Sequence, residues 1–129
     1  MSKTVLVLDD DSDIVDLLKD LLETMDEIKS VVTSVSFSDA LNKLNNQSFD
    51  HIISDYNLSG QENGIDFIKE VRSIDKMNNH KTRIFLISAS LDKQILSQAL
   101  YLNVKDIIVK PFTLDKLRSV FTKENVKAL

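Results

Sequence analysis

Short apolar runs that each stop on one polar residue punctuate this chain. Val5–Leu8 runs into Asp9-Asp10-Asp11, His51–Ser54 into Asp55, Ile84–Ile87 into Ser88, and Ile107–Val109 into Lys110, the second and third inside predicted strands Phe49–Ser54 and Arg83–Ile87. A continuous apolar run of four to six residues, about that length, is the mark of a strand covered on both faces. Val31 and Val32, with Val35, predict a further strand. Between these runs the period changes. Ile14, Leu17, Leu18, Leu21, Leu22 and Met25 recur at helical spacing, and the acidic stretch before them supplies an N-cap at Asp11 or Ser12.

The same spacing predicts a helix at Ala40, Leu41 and Leu44 behind the capping sequence Ser36-Phe37-Ser38-Asp39, broken by Asn45-Asn46-Gln47-Ser48. A third carries Ile65, Phe67, Ile68 and Val71 and fades into Asp75–Asn79. A fourth holds Ile95, Ala99 and Leu102 with Ser90 as its cap, and a fifth holds Leu114, Leu117, Val120 and Phe121 behind Thr113. Strands that alternate strictly with helices call for an α/β fold with a doubly wound parallel sheet. For five strands the flavodoxin-like order 2-1-3-4-5 fits right-handed crossovers in a chain of this size. The whole of residues 1–129 then forms one domain. In that order the first and third strands are neighbours, so Asp9, Asp10 and Asp55 converge at the carboxyl edge, with Ser88 and Lys110 beside them.

Composition narrows what such an edge can do. The chain has no cysteine, which removes disulfides, thiolate nucleophiles and cysteine zinc sites. A net charge of −4 argues against a nucleic-acid surface, and the apolar runs are too short for a membrane span. Met1-Ser2-Lys3 leads straight into a strand without a signal peptide, so a cytoplasmic protein is expected. Both glycines, Gly60 and Gly64, fall in the loop after Asp55, which marks that loop for special backbone geometry.

Converging carboxylates repel one another unless a cation sits among them. Asp9, Asp10 and Asp55 make a hard oxygen site suited to Mg²⁺, with Mn²⁺ as a substitute. A carboxylate beside such an ion can attack phosphorus and form an aspartyl phosphate. The transferred group then needs positive charge and donors around it, which Lys110 and Ser88 supply.

Asp9-Asp10, Asp55-Tyr56-Asn57, Gly64, Ser88-Ala89 and Lys110-Pro111-Phe112-Thr113, in this order at successive strand ends, resemble the site of a response-regulator receiver domain. The resemblance spans the chain and implies a phosphorylation switch of two-component signalling. Asp55 is its implied phosphoacceptor, charged by a histidine kinase or a histidine phosphotransfer protein and read by a downstream protein. Mg²⁺ would be held by Asp10, by Asp9 directly or through water, by Asp55, and by the backbone carbonyl of Asn57. Ser88 would swing toward the phosphoryl group, Lys110 would pair with it, and a cis Lys110–Pro111 bond would aim the lysine. Such a domain catalyses only its own phosphorylation and dephosphorylation.

The chain departs from the family pattern in places. Ser59 replaces the usual proline and one extra residue precedes Gly64; Asn103 and Asp106 stand where glycines are common, both being types that tolerate left-handed backbone. Ile107 stands where an aromatic ring often reports the switch, so the output is expected to run through other parts of the surface.

Competing readings are weaker. Asp9, Asp11, Ser88 and Lys110 imitate the set of a haloacid-dehalogenase-type phosphohydrolase with Asp9 as nucleophile, but that reading lacks a cap segment and a late acidic pair and leaves Asp55 idle. Asp9-x-Asp11-x-Asp13 hints at a calcium loop but has Ile14 where glycine is needed. A receiver-like domain that only binds partners would have no need for an intact Asp55 and Lys110. His51 and His80 are expected to be structural or exposed. Met1 and Leu129 suggest a stand-alone regulator, the alternative being a receiver cut from a hybrid kinase or a transcription factor.

Overall fold

The computed structural model describes residues 3–127, with side chains through residue 121; Met1 and Leu129, on which the stand-alone reading rested, lie outside them. The elements alternate as expected: β1 (Lys3–Leu8), α1 (Ser12–Glu23), β2 (Ile28–Ser34), α2 (Phe37–Asn46), β3 (His51–Asp55), α3 (Gly64–Asn78), β4 (Arg83–Ser88), α4 (Lys93–Tyr101), β5 (Asp106–Val109) and α5 (Leu114–Lys127). The five strands form one parallel sheet in the order β2-β1-β3-β4-β5.

Successive side chains of a strand point to opposite faces, and β1 shows what that does here. Val5 and Val7 pack with Val15, Leu18 and Leu22 of α1 and Leu117 and Val120 of α5. Leu6 and Leu8 pack on the other face with Ala40 and Leu44 of α2, Phe67, Ile68 and Val71 of α3 and Ile95 of α4. Two apolar layers thus clamp the sheet and hold its strand ends in place.

Caps explain where most helices start. Asp11 Oδ1 accepts from Asp13 N at 2.9 Å at the start of α1, and Ser36 accepts from Asp39 N at the start of α2. Asn63 and Asp66 form a reciprocal capping box at α3, and Thr113 Oγ1 accepts from Lys116 N at 3.0 Å at the start of α5. Asp92, rather than Ser90, caps α4, its carboxylate accepting from Ile95 N at 2.8 Å. Ser90 is instead engaged with Ser88.

Several boundaries also move. β2 begins at Ile28 and ends at Ser34, leaving Val35 48% exposed outside the strand. β3 starts at His51 and includes Asp55, while Phe49 is buried before the strand and Asp50 Oδ2 accepts from Thr4 N at 2.9 Å. α3 does not fade at Asp75 but runs to Asn78, ending on Asn79 in the left-handed region (φ 54°). Asp75 is buried there, bound to Arg72 and to both the backbone N–H and the hydroxyl of Thr82. Asn103 adopts the left-handed conformation (φ 57°), whereas Asp106 opens β5.

Candidate functional site

Register carries the acidic residues together. Leu8 of β1 pairs with Ser54 of β3, so Asp9 and Asp55, one position further on, leave the sheet side by side. Asp55 pairs with Ile87, and Ser88 with Val109, which brings Ser88 and Lys110 to the same edge. The chain is tied down beyond the strands as well: Tyr56 N donates to Ile87 O at 2.7 Å and Lys110 N to Ser88 O at 2.8 Å. Gly64 lets the next helix start close behind. A Cβ at Gly64 would lie 2.3 Å from the Asp55 carbonyl oxygen, and its N–H donates to Tyr56 O at 2.7 Å.

Carboxylate oxygens of Asp9, Asp10 and Asp55 lie within 4.8 Å of one another. Asp9 and Asp55 are buried, Asp10 is exposed. Lys110, preceding a cis bond to Pro111, reaches in from β5 with Nζ 3.2 Å from Asp55 Oδ2 and 3.7 Å from Asp9 Oδ2. Asp9 Oδ1 accepts from Asp11 N at 3.0 Å, and Asp10 Oδ2 accepts from the Ser59 hydroxyl at 2.9 Å.

One ammonium cannot balance this cluster. Burial pushes the Asp9 carboxyl up to about 6, with Asp55 adding repulsion that the Asp11 N–H and Lys110 do not cancel. Burial also raises Asp55, against the pull of Lys110 and of the Asn57 backbone N–H. For Lys110 burial works toward deprotonation, but Asp55 and Asp9 outweigh it and keep the ammonium charged to higher pH than usual. Asp9 Oδ2 and Asp55 Oδ1 are buried with no hydrogen-bond donor among the described residues. Such oxygens are costly unless something cationic meets them. The donor set is all oxygen, which fits a hard divalent ion.

Asp9, Asp10, Asp55 and Lys110 are therefore brought into one cluster. Ser88 is at the edge but its hydroxyl faces away, donating to Ser90 O at 2.6 Å. Asn57 follows in the exposed loop, its backbone N–H directed to the Asp55 carboxylate. Asp11 serves as the α1 cap, outside the cluster. His51 is buried with its ring edge-on to Phe121 at 5.6 Å, and His80 Nε2 lies 2.9 Å from Phe49 O, so both histidines are structural. Ser59, which the sequence marks only as a departure from the usual proline, makes a contact with Asp10 in the site that sequence reasoning does not reach. That contact joins residues 49 positions apart, and no local pattern encodes it.

The response regulator receiver domain family matches residues 5–122 of this chain. The chain is 25% identical over 125 residues to the chemotaxis protein CheY of Pseudomonas aeruginosa, covering 94% of this chain and 98% of that one. Against chemotaxis protein CheY-3 of Vibrio cholerae it is 27% identical over 119 residues, or 92% of this chain and 88% of that one. Its fold superposes with a TM-score of 0.84 on a CheY-like response regulator receiver domain protein from Methanospirillum hungatei, at 18% identity over 98% of this chain and 96% of that one. The family match runs from the first strand into the last helix, and on that ground the chain belongs to the response-regulator receiver domains.

Proposed function

We propose that residues 1–129 act as one receiver unit of a two-component or phosphorelay system, in which Asp55 accepts a phosphoryl group from a phosphohistidine. The carboxylate cluster of Asp9, Asp10 and Asp55, with Lys110 Nζ 3.2 Å from Asp55, is the observation that carries this reading. Asp9, Asp10 and Asp55, with the Asn57 carbonyl, would hold Mg²⁺ or Mn²⁺, which when bound offsets negative charge on the carboxylates and the phosphoryl oxygens.

Asp55 is held by β3 with its carboxylate at the open sheet edge. One of its oxygens forms the bond to phosphorus as the phosphorus–nitrogen bond of the donor breaks, and the electron pair leaves on the imidazole nitrogen, which then takes up a proton. Lys110 stays charged and follows the developing negative charge from Asp55 to the phosphoryl oxygens. Ser88 releases the Ser90 carbonyl and turns its hydroxyl to the phosphoryl group. The side chain at 89 is a methyl group, which leaves that path open.

The domain would turn over its own phosphoryl group and no other substrate. Its partners would be a histidine kinase or phosphotransfer protein upstream and a protein target downstream, in the cytoplasm. Among the described residues no helix is long and apolar enough to cross a membrane.

The phosphohydrolase alternative needs Asp11 beside Asp9 as a second acid. Asp11 is committed to the α1 cap, while Asp55, which that scheme leaves idle, lies at the centre of the cluster. Incubation with acetyl phosphate and Mg²⁺, followed by intact-mass measurement and peptide mapping, tests the assignment. One phosphoryl group on Asp55 is expected, lost in Asp55→Asn and in Asp10→Ala. Labelling that survives Asp55→Asn, or that maps to Asp9, overturns it.

A further inference from the structure

Asp10 differs from the other two carboxylates of the cluster in being exposed. Asp9 and Asp55 are held by burial, and Asp10 is not. An exposed aspartate samples several rotamers, and freezing it on an ion costs side-chain entropy. Here the hydroxyl of Ser59 donates to Asp10 Oδ2 at 2.9 Å. The bond spans two separate loops, Ser59 lying between β3 and α3 and Asp10 between β1 and α1.

We propose that Ser59 is a positioning residue for the divalent cation: it fixes one Asp10 oxygen so that the carboxylate is presented to the ion in a single orientation. The inference rests on the metal-dependent reading above. Two further features of the loop support it. Gly60, next in the chain, has φ +104° with open space around a would-be Cβ, a backbone state that a side chain would resist. The far end of the same loop is fastened by the Asn63–Asp66 capping box and by Gly64 N–H to Tyr56 O. Ser59 is thus carried on a loop whose end is anchored against Asp55 itself.

Outer partners that hold a metal-ligating carboxylate contribute about ten- to hundredfold to metal affinity when well sheltered. This bond is exposed to solvent, so Ser59→Ala is expected to weaken Mg²⁺ binding by about three- to tenfold. Ser59→Thr, which keeps the hydroxyl, is expected to bind as the wild type does.

Isothermal titration of Mg²⁺ into wild type, Ser59→Ala, Ser59→Thr and Asp10→Ala separates the possibilities without any phosphoryl donor. Urea unfolding in EDTA serves as the control for a merely structural effect, and its midpoint should be the same for wild type and Ser59→Ala. Weaker binding in Ser59→Ala, wild-type binding in Ser59→Thr and an unchanged midpoint support the role. Wild-type affinity in Ser59→Ala, or a threonine variant as weak as alanine, overturns it while leaving the metal site standing. A wild type that takes up no Mg²⁺ overturns the metal reading and this inference together.

Discussion

Replacing a charged residue at the centre of the site should make the metal-free protein more stable. Asp9 is 1% exposed and its carboxyl is raised from 3.8 to about 6. A carboxyl with a raised folded-state value favours folding while it is protonated, and that advantage is lost as pH climbs from about 4 through about 6. At 1.36 kcal/mol per unit, the ionised group opposes folding at pH 7 by about 3 kcal/mol. The cluster opens to solvent at Asp10, which screens part of this. Asp9→Asn keeps an oxygen to accept from Asp11 N and removes the charge, and Lys110 retains Asp55 at 3.2 Å. The variant should therefore be about 1–3 kcal/mol more stable than wild type in EDTA at pH 7. Near pH 4 the difference should vanish. Excess Mg²⁺ should narrow or reverse it, because an ion at about a hundred times its Kd adds about 2.7 kcal/mol to the wild type and little to a variant with a damaged site. Urea unfolding followed by far-UV circular dichroism reads all of these conditions. An Asn variant no more stable than wild type in EDTA at pH 7 would refute the electrostatic account.

The same protonation sets the pH dependence of metal binding. Mg²⁺ affinity should be level above about pH 7 and fall as Asp9 takes up its proton below about pH 6, and a flat titration profile from pH 5 to pH 7 would count against it. Gly64→Ala forces a methyl group against the Asp55 carbonyl oxygen at 2.3 Å and Tyr56 Cα at 2.9 Å, both backbone atoms. A loss of about 2–4 kcal/mol is expected in urea unfolding, with slower phosphorylation, and a neutral effect would show that the contact can relax. Asp75→Ala takes the acceptor from the buried Thr82 N–H and the counter-charge from Arg72 and should cost about 2–4 kcal/mol without lowering Mg²⁺ affinity; a loss below about 1 kcal/mol would mean that water replaces the carboxylate. If Ile107, partly buried against the α4-side core, takes no part in the switch, its methyl resonances should shift little on phosphorylation, and full shifts there and along α4 would place it in the output path.

Much of this could be read from the chain because parallel strands buried on both faces are written as unbroken apolar runs. Val5–Leu8, Ile52-Ile53 and Ile84–Ile87 announce their strands, and once the order is known the residues after them must meet. The β2 edge is the exception. Ile28-Lys29-Ser30 is half-solvated and carries polar residues, so its first turn of sequence looked like loop. Ser90 and Asp92 are both good caps for α4, and which one serves depends on where the backbone turns extended, which occurs at Asp92 (φ −93°, ψ 168°). The continuation of α3 through Asp75–Asn78 was hidden because its buried carboxylate is satisfied by Thr82, beyond the helix. Hydroxyl directions were beyond sequence altogether. Neither the turn of Ser88 to Ser90 nor the reach of Ser59 to Asp10 follows from periodicity.

Arg72 has a consequence at the far end of the molecule. From α3 its guanidinium donates to Leu102 O at 2.7 Å and Asn103 O at 2.9 Å, just past α4, and to Thr82 O at the approach to β4. The C-terminal end of α4 is thereby pinned to the rest of the fold, while its N-terminal end follows directly on the Ser88–Ser90 turn. The two ends of α4 are therefore fastened by different chemistry: one charged side chain grips two backbone carbonyls at Leu102 and Asn103, whereas the start of the helix relies on the Asp92 cap and the buried Ile95.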